Sequence, residues 1–152
     1  MCKGRELVGL PVITQDNGEE LGRIQDILYD AKTGALKAVV LDGGSWLREP
    51  QVVAFEKLKT QGAKNFSVSG KLAVSNELPE GIRCWQETKG LSLVNSSGTE
   101  LGLIEDVVID LSSGRITGLE ISTGLVNDLM DGRKEIALTG MVSWGADTVV
   151  IS

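Results

Sequence analysis

Residues 18–34 read GEELGRIQDILYDAKTG, and residues 98–114 read GTELGLIEDVVIDLSSG. Offset by 80, the two stretches align without a gap and are identical at Gly18/Gly98, Glu20/Glu100, Leu21/Leu101, Gly22/Gly102, Ile24/Ile104, Asp26/Asp106, Asp30/Asp110 and Gly34/Gly114. Most other pairs are conservative, as in Ile27/Val107 and Leu28/Val108. Self-similarity at a fixed offset marks a duplicated structural unit. The likeness extends outward: Gly9 and Leu10 match Gly90 and Leu91, Val53-Ala54-Phe55 matches Ile136-Ala137-Leu138, and 66–68 matches 149–151. The chain divides into a first repeat at 1–69, a connector at 70–89 and a second repeat at 90–152.

Each repeat reads as a series of short strands. In the first, 10–13 is a strand, and Asn17-Gly18 supplies a tight turn that accepts positive φ. A long strand rich in Ile and Leu follows at 20–29, and Gly22 near its start predicts a bulge or a barrel-corner bend. A turn at 30–34 leads to a third strand at 36–41; shorter strands at 52–54 and 66–68 flank one helical turn near 56–58. Short strands without a long helix predict an all-β fold of two small barrels, because closure removes exposed strand edges. With 41% apolar residues, 24% charged residues and 19 glycines, the composition fits a globular chain with many tight turns. Leu72, Val74, Leu78, Ile82 and Trp85 make the connector too apolar for a flexible spacer. It is expected to pack between the barrels and fix their orientation.

The string G-x-x-L-G-x-I-x-D-x-x-x-D-x-x-(S/T)-G, followed by an apolar strand, resembles the PRC-barrel family. That family is named after the cytoplasmic domain of the photosynthetic reaction-centre H subunit. The resemblance covers both repeats and implies a tandem of small β-barrels of the kind used as adaptors in varied complexes. Relatives include the C-terminal domain of a ribosome-maturation factor that docks on a ribosomal protein. No activity is shared across the family, so the fold does not by itself give a function.

Charge and composition narrow the function classes. A net charge of −6 and scattered basic residues argue against direct nucleic-acid binding, which draws its affinity from clustered Lys and Arg. The chain has no histidine and no GxSxG, which removes His-based triads and His-ligated zinc. No catalytic residue and no cofactor is assigned, and the expectation is a protein that is not an enzyme. Cys2 and Cys84 form no CxxC pair and read as free thiols of a reducing cytoplasm, with Arg83 placed to lower the pKa of Cys84. The first ten residues lack the apolar segment of a signal peptide, and no apolar run approaches the ~20 residues of a membrane span. A cytoplasmic location without membrane insertion is expected, with docking on a membrane protein left open.

Two sets of residues invite a functional reading. Asp26 and Asp30, with Asp106 and Asp110, place carboxylates four residues apart on one strand, a pattern open to a hard cation. Turn chemistry offers the other reading. Asp30 and Asp110 precede turns closing at Gly34 and Gly114, where an Asp accepts backbone N–H groups, and Asp26 and Asp106 can serve backbone groups at the barrel corner. The structural role is favoured, and no metal ligand is assigned.

The second set lies in the loops after the third strand of each repeat. Trp46, Leu47 and Arg48 stand in one, and Leu125, Val126, Leu129, Met130 and Arg133 in the other. Trp and Arg favour binding hot spots, and Met suits adaptable surfaces; the competing role is to plug the barrel ends. The expected function is an adaptor that binds another protein. The alternatives are an accessory factor in RNA metabolism or ribosome assembly acting through protein contacts, and a metal- or small-ligand-binding sensor. Self-association is left open.

Overall fold

The computed structural model describes residues 1–42, 51–60, 66–69, 74–75, 80–124, 128–130 and 132–152. The chain opens with a short strand β1 (Cys2–Lys3) and a helical turn α1 (Gly4–Leu7). There follow β2 (Pro11–Thr14), β3 (Glu20–Asp30), β4 (Leu36–Asp42), β5 (Gln51–Ala54), a 3-10 turn (Phe55–Lys57), β6 (Lys59–Thr60), β7 (Phe66–Val68) and β8 (Val74–Ser75). The order then recurs as β9 (Ile82–Cys84), α2 (Trp85–Thr88), β10 (Ser92–Asn95), β11 (Glu100–Asp110), β12 (Arg115–Ser122), β13 (Lys134–Ala137), β14 (Val142–Trp144) and β15 (Thr148–Ile151). The fold is all-β, and the duplication seen in the sequence is a duplication of the barrel.

The two sheets share one strand path. The first runs β6-β7-β2-β3-β4-β5-β8 and the second β14-β15-β10-β11-β12-β13. Among the described residues each contains a single parallel pair, Val12 opposite Phe66 in one and Leu93 opposite Val149 in the other. The register slips at Val12/Ile13 and at Leu93/Val94, where the partner strands carry Gly22 and Gly102. A Cβ on Gly22 would lie 2.5 Å from the Asp42 carbonyl oxygen, and one on Gly102 2.6 Å from that of Ser122. Only glycine permits so close a backbone approach at the bulge. Further slips at Ile24/Asp26 and Leu28/Tyr29, repeated at Ile104/Asp106 and Val108/Ile109, explain why alternation along the long strand is imperfect.

The repeats interlock. Strand β1 pairs with the second repeat, Cys2 opposite Ile109 and Lys3 opposite Val108. Strand β9 pairs with the first, Cys84 opposite Leu28 and Arg83 opposite Tyr29. Each long strand thus receives its extra partner from the segment that leads into the other repeat. The segment Ile82–Thr88 falls in the stretch read from sequence as a connector, yet it repeats the form of Cys2–Leu7. A local two-fold also relates the hairpin turns: Leu36 N–H donates to the Gly114 carbonyl at 2.8 Å, and Ile116 N–H to that of Gly34 at 2.9 Å.

One hydrophobic core serves both repeats. Ile24, Tyr29, Leu41 and Val53 join Ile104, Ile109, Leu119 and Trp144 in a single buried cluster. The Tyr29 and Trp144 rings meet edge to face with centroids 5.0 Å apart, a favoured aromatic geometry. A smaller cluster of Leu28, Ala38 and Val52 lies in the first repeat alone, with Val40, Ile82 and Cys84 packed against it.

Candidate partner-binding surface

The four repeat aspartates separate into two structural roles. Asp30 Oδ1 accepts the N–H groups of Lys32 at 2.7 Å and Thr33 at 3.1 Å. Asp110 Oδ1 accepts the Ser112 hydroxyl at 2.6 Å and its N–H at 3.1 Å. These donors hold both carboxyls below the usual aspartate range, the Lys32 N–H leading for Asp30 and the Ser112 hydroxyl for Asp110. Asp26 and Asp106 instead fasten the exchanged segments. Asp26 Oδ1 accepts the Gln86 N–H at 3.2 Å, and Asp106 Oδ2 the Arg5 N–H at 3.2 Å. Gln86 and Arg5 are the second residues of α2 and α1, whose first N–H groups have no partner within so short a helix. Asp106 also accepts the Trp85 indole N–H at 2.7 Å and is 1% exposed. Among the described residues no group of three or more Cys, Asp or Glu side chains is arranged to hold a metal ion.

The second repeat carries a feature that the first lacks. Asp106 stands opposite Glu120 on β12, and Glu120 stands opposite Glu135 on β13. At the corresponding places the first repeat has Asp26 opposite Val40, and Val40 opposite Val52. Like charges directly across a ladder repel, so a row of three carboxylates requires cations. The exchanged segment supplies two of them. Lys3 Nζ bonds Glu120 and reaches Glu135 at 3.2 Å, and the Arg5 guanidinium reaches Glu120 at 2.8 Å and Asp106 at 3.3 Å. Arg133, one of the residues read from sequence as partner-binding, adds a third contact to Glu120 at 3.3 Å and lies 3.9 Å from Glu105. Desolvation would raise the Glu120 carboxyl, but the bonds from Lys3, Arg5 and Arg133 outweigh it and hold the group at about 2.

The loop between β12 and β13 begins beside this cluster. Asp128 anchors it, its Oδ2 accepting the Ser122 hydroxyl and its Oδ1 accepting the Thr123 N–H at 3.3 Å. A helical turn follows, closed by the Gly132 N–H to the Asp128 carbonyl at 2.9 Å. On it Leu129 and Met130 are each 78% exposed. They do not plug the barrel. Trp46, Leu47, Arg48, Leu125 and Val126 lie outside the described residues.

The PRC-barrel domain model matches the sequence twice, over residues 1–71 and 85–152. The chain belongs to the PRC-barrel family. No curated protein matches it. PRC-barrel domains generally serve as protein-interaction modules, and here the tandem form builds one body from two of them. Within this PRC-barrel pair Cys2 is buried and Cys84 half-buried, and neither thiol is activated. Arg83 does not depress Cys84; burial pushes that thiol up to about 11, and it raises Cys2 as well. Burial likewise pushes Tyr29 up to about 12, its hydroxyl paired with that of Thr88. Among the described residues no helix is long and apolar enough to cross a membrane.

Lys3, Arg5 and Glu120 were not singled out by sequence reasoning. The one available signal was a Glu between Leu119 and Ile121 in an apolar strand, a place where a carboxylate requires a partner.

Proposed function

We propose that this PRC-barrel pair is a non-catalytic, cytoplasmic adaptor that recognises another protein through the β12–β13 loop of its second repeat. The observation that carries the reading is the exposure of Leu129 and Met130, at 78% each, on a turn fixed by Asp128. Large apolar side chains on a turn whose backbone is already anchored can be covered by a partner without the cost of ordering the loop. The charge of −6 and the absence of histidine favour a protein contact over nucleic-acid binding or catalysis.

The test compares the full chain with the double variant Leu129→Asp/Met130→Asp. Both are tagged, crosslinked mildly in the native cells and purified, and the co-purifying proteins are compared. The adaptor reading expects a specific protein with the wild type that is lost with the folded variant. Equal recovery by both would place the contact elsewhere and refute the assignment of this loop.

A further inference from the structure

The local two-fold is also broken beside the hairpin turns, and this break leaves a groove. Ala38 pairs with Ala54 in the first repeat, and Gly118 with Ala137 in the second, so the residues that follow, Phe55 and Leu138, are equivalent. Phe55 covers the hairpin turn of the opposite repeat: a Cβ on Gly114 would lie 3.0 Å from its ring. Leu138 does not reach the equivalent Gly34, where among the described residues a Cβ would meet only Ile116, at 3.8 Å and beyond. Phe55 also begins a 3-10 turn that brings a partly buried Leu58 onto the core. The counterpart of Leu58, Met141, is 84% exposed.

The resulting groove has a volume of about 370 Å³ and runs between Gly34, Leu138, Met141 and Trp144. A cavity of ~150 Å³ accepts a benzene ring, so a ring of the size of Phe55 fits with room for its backbone. Lys32 and Arg115 line the groove, and among the described residues no carboxylate does. Arg115 also donates to the Thr33 carbonyl at 2.9 Å, and the Asp30 and Asp110 carboxylates at the same turns are not among the lining residues, so the charge on the groove wall itself is positive. Thr117 lines it too, and its buried hydroxyl oxygen has no hydrogen-bond partner among the described residues.

We propose that this groove binds an extended segment of a partner protein carrying an aromatic side chain flanked by carboxylates. The ring takes over Gly34 the place that Phe55 takes over Gly114, and the carboxylates pair with Lys32 and Arg115. The site involves neither Leu129 nor Met130, so it stands or falls separately from the loop contact.

The probe is the acetylated, amidated pentapeptide Glu-Glu-Phe-Glu-Glu, titrated into the ¹⁵N-labelled full chain at low ionic strength. The expected result is saturable shifts at the Gly34 and Thr117 amides and the Trp144 indole, with a Kd near or below ~1 mM. Leu138→Phe, which fills the groove from within as Phe55 does opposite, is expected to weaken binding at least about ten-fold. Lys32→Glu, an exposed change that leaves the fold intact, is expected to weaken it about five-fold or more. Glu-Glu-Gly-Glu-Glu and Lys-Lys-Phe-Lys-Lys should not produce the shifts. The proposal is overturned by the absence of saturable shifts up to ~10 mM, by shifts on another surface, by undiminished binding in both variants, or by equal binding of the glycine peptide.

Discussion

Asp106 accepts the backbone N–H of Arg5 at 3.2 Å, across 101 positions of sequence. Asp26 does the same for Gln86, so each duplicated aspartate fastens the helical turn that leads into the other repeat. The two sites differ in burial and in what else they hold. Asp106→Ala strands the Trp85 indole N–H and the Arg5 N–H in a site 1% exposed. Its cost is expected on the order of 3 kcal/mol. Asp26→Ala, at a half-buried site holding two backbone N–H groups, is expected to cost about 1–2 kcal/mol. Urea denaturation of both variants checks the order, and a reversed order would contradict the assignment.

Glu120 makes stability depend on acid. Its folded pKa of about 2 lies below its ordinary 4.5, so its contribution is present in full above the higher value and lost as pH falls toward the lower. The contribution is expected on the order of 1–3 kcal/mol, the lower end reflecting the exposure of Arg5 and Arg133. Glu120→Gln should lower stability at pH 7 and flatten the loss between about pH 5 and pH 2. Urea midpoints that fall in parallel for wild type and variant would contradict this.

The bulge glycines differ from the turn glycines. A Cβ on Gly102 would lie 2.6 Å from the Ser122 carbonyl oxygen, whereas one on Gly98, at φ +84, would meet nothing within 4 Å. Gly102→Ala is expected to cost more than about 2 kcal/mol, because forced backbone movement adds to the strain of its own φ of +154, and Gly98→Ala about 1 kcal/mol through conformation alone. Thermal denaturation of the pair distinguishes steric from conformational demand.

The exposed turn should be thermodynamically silent. Leu129→Asp/Met130→Asp is expected to change stability by no more than about 0.5 kcal/mol. Asp128→Ala releases the turn at a cost of about 1 kcal/mol and should weaken partner capture although both apolar side chains remain. Capture unaffected by Asp128→Ala would show that the turn does not need its anchor.

What the sequence disclosed was local. Gly22 and Gly102 announced their bulges, and Asp30 and Asp110 their turns, because the groups they serve lie within a few residues or on the adjoining strand. The exchange of β1 and β9 was hidden because Cys2–Leu7 and Ile82–Thr88 share little more than Glu6/Glu87. Their pairing is also set by a contact between repeats, which periodicity does not record. Leu129 and Met130 could be named as large apolar loop residues, but whether they plug a barrel or face outward depends on the Asp128 anchor, a tertiary feature. Glu120 showed only as a lone carboxylate in an apolar strand, because Lys3 and Arg5 lie 117 and 115 positions away.

Native-state hydrogen exchange tests most directly whether the two repeats form one interlocked body. With a shared core and reciprocally held segments, the slowest amides of β3 and β4 should open with the same free energy as those of β11 and β12, equal to that of global unfolding. A difference of more than about 2 kcal/mol between the two sets, one barrel opening while the other stays closed, would contradict the interlock.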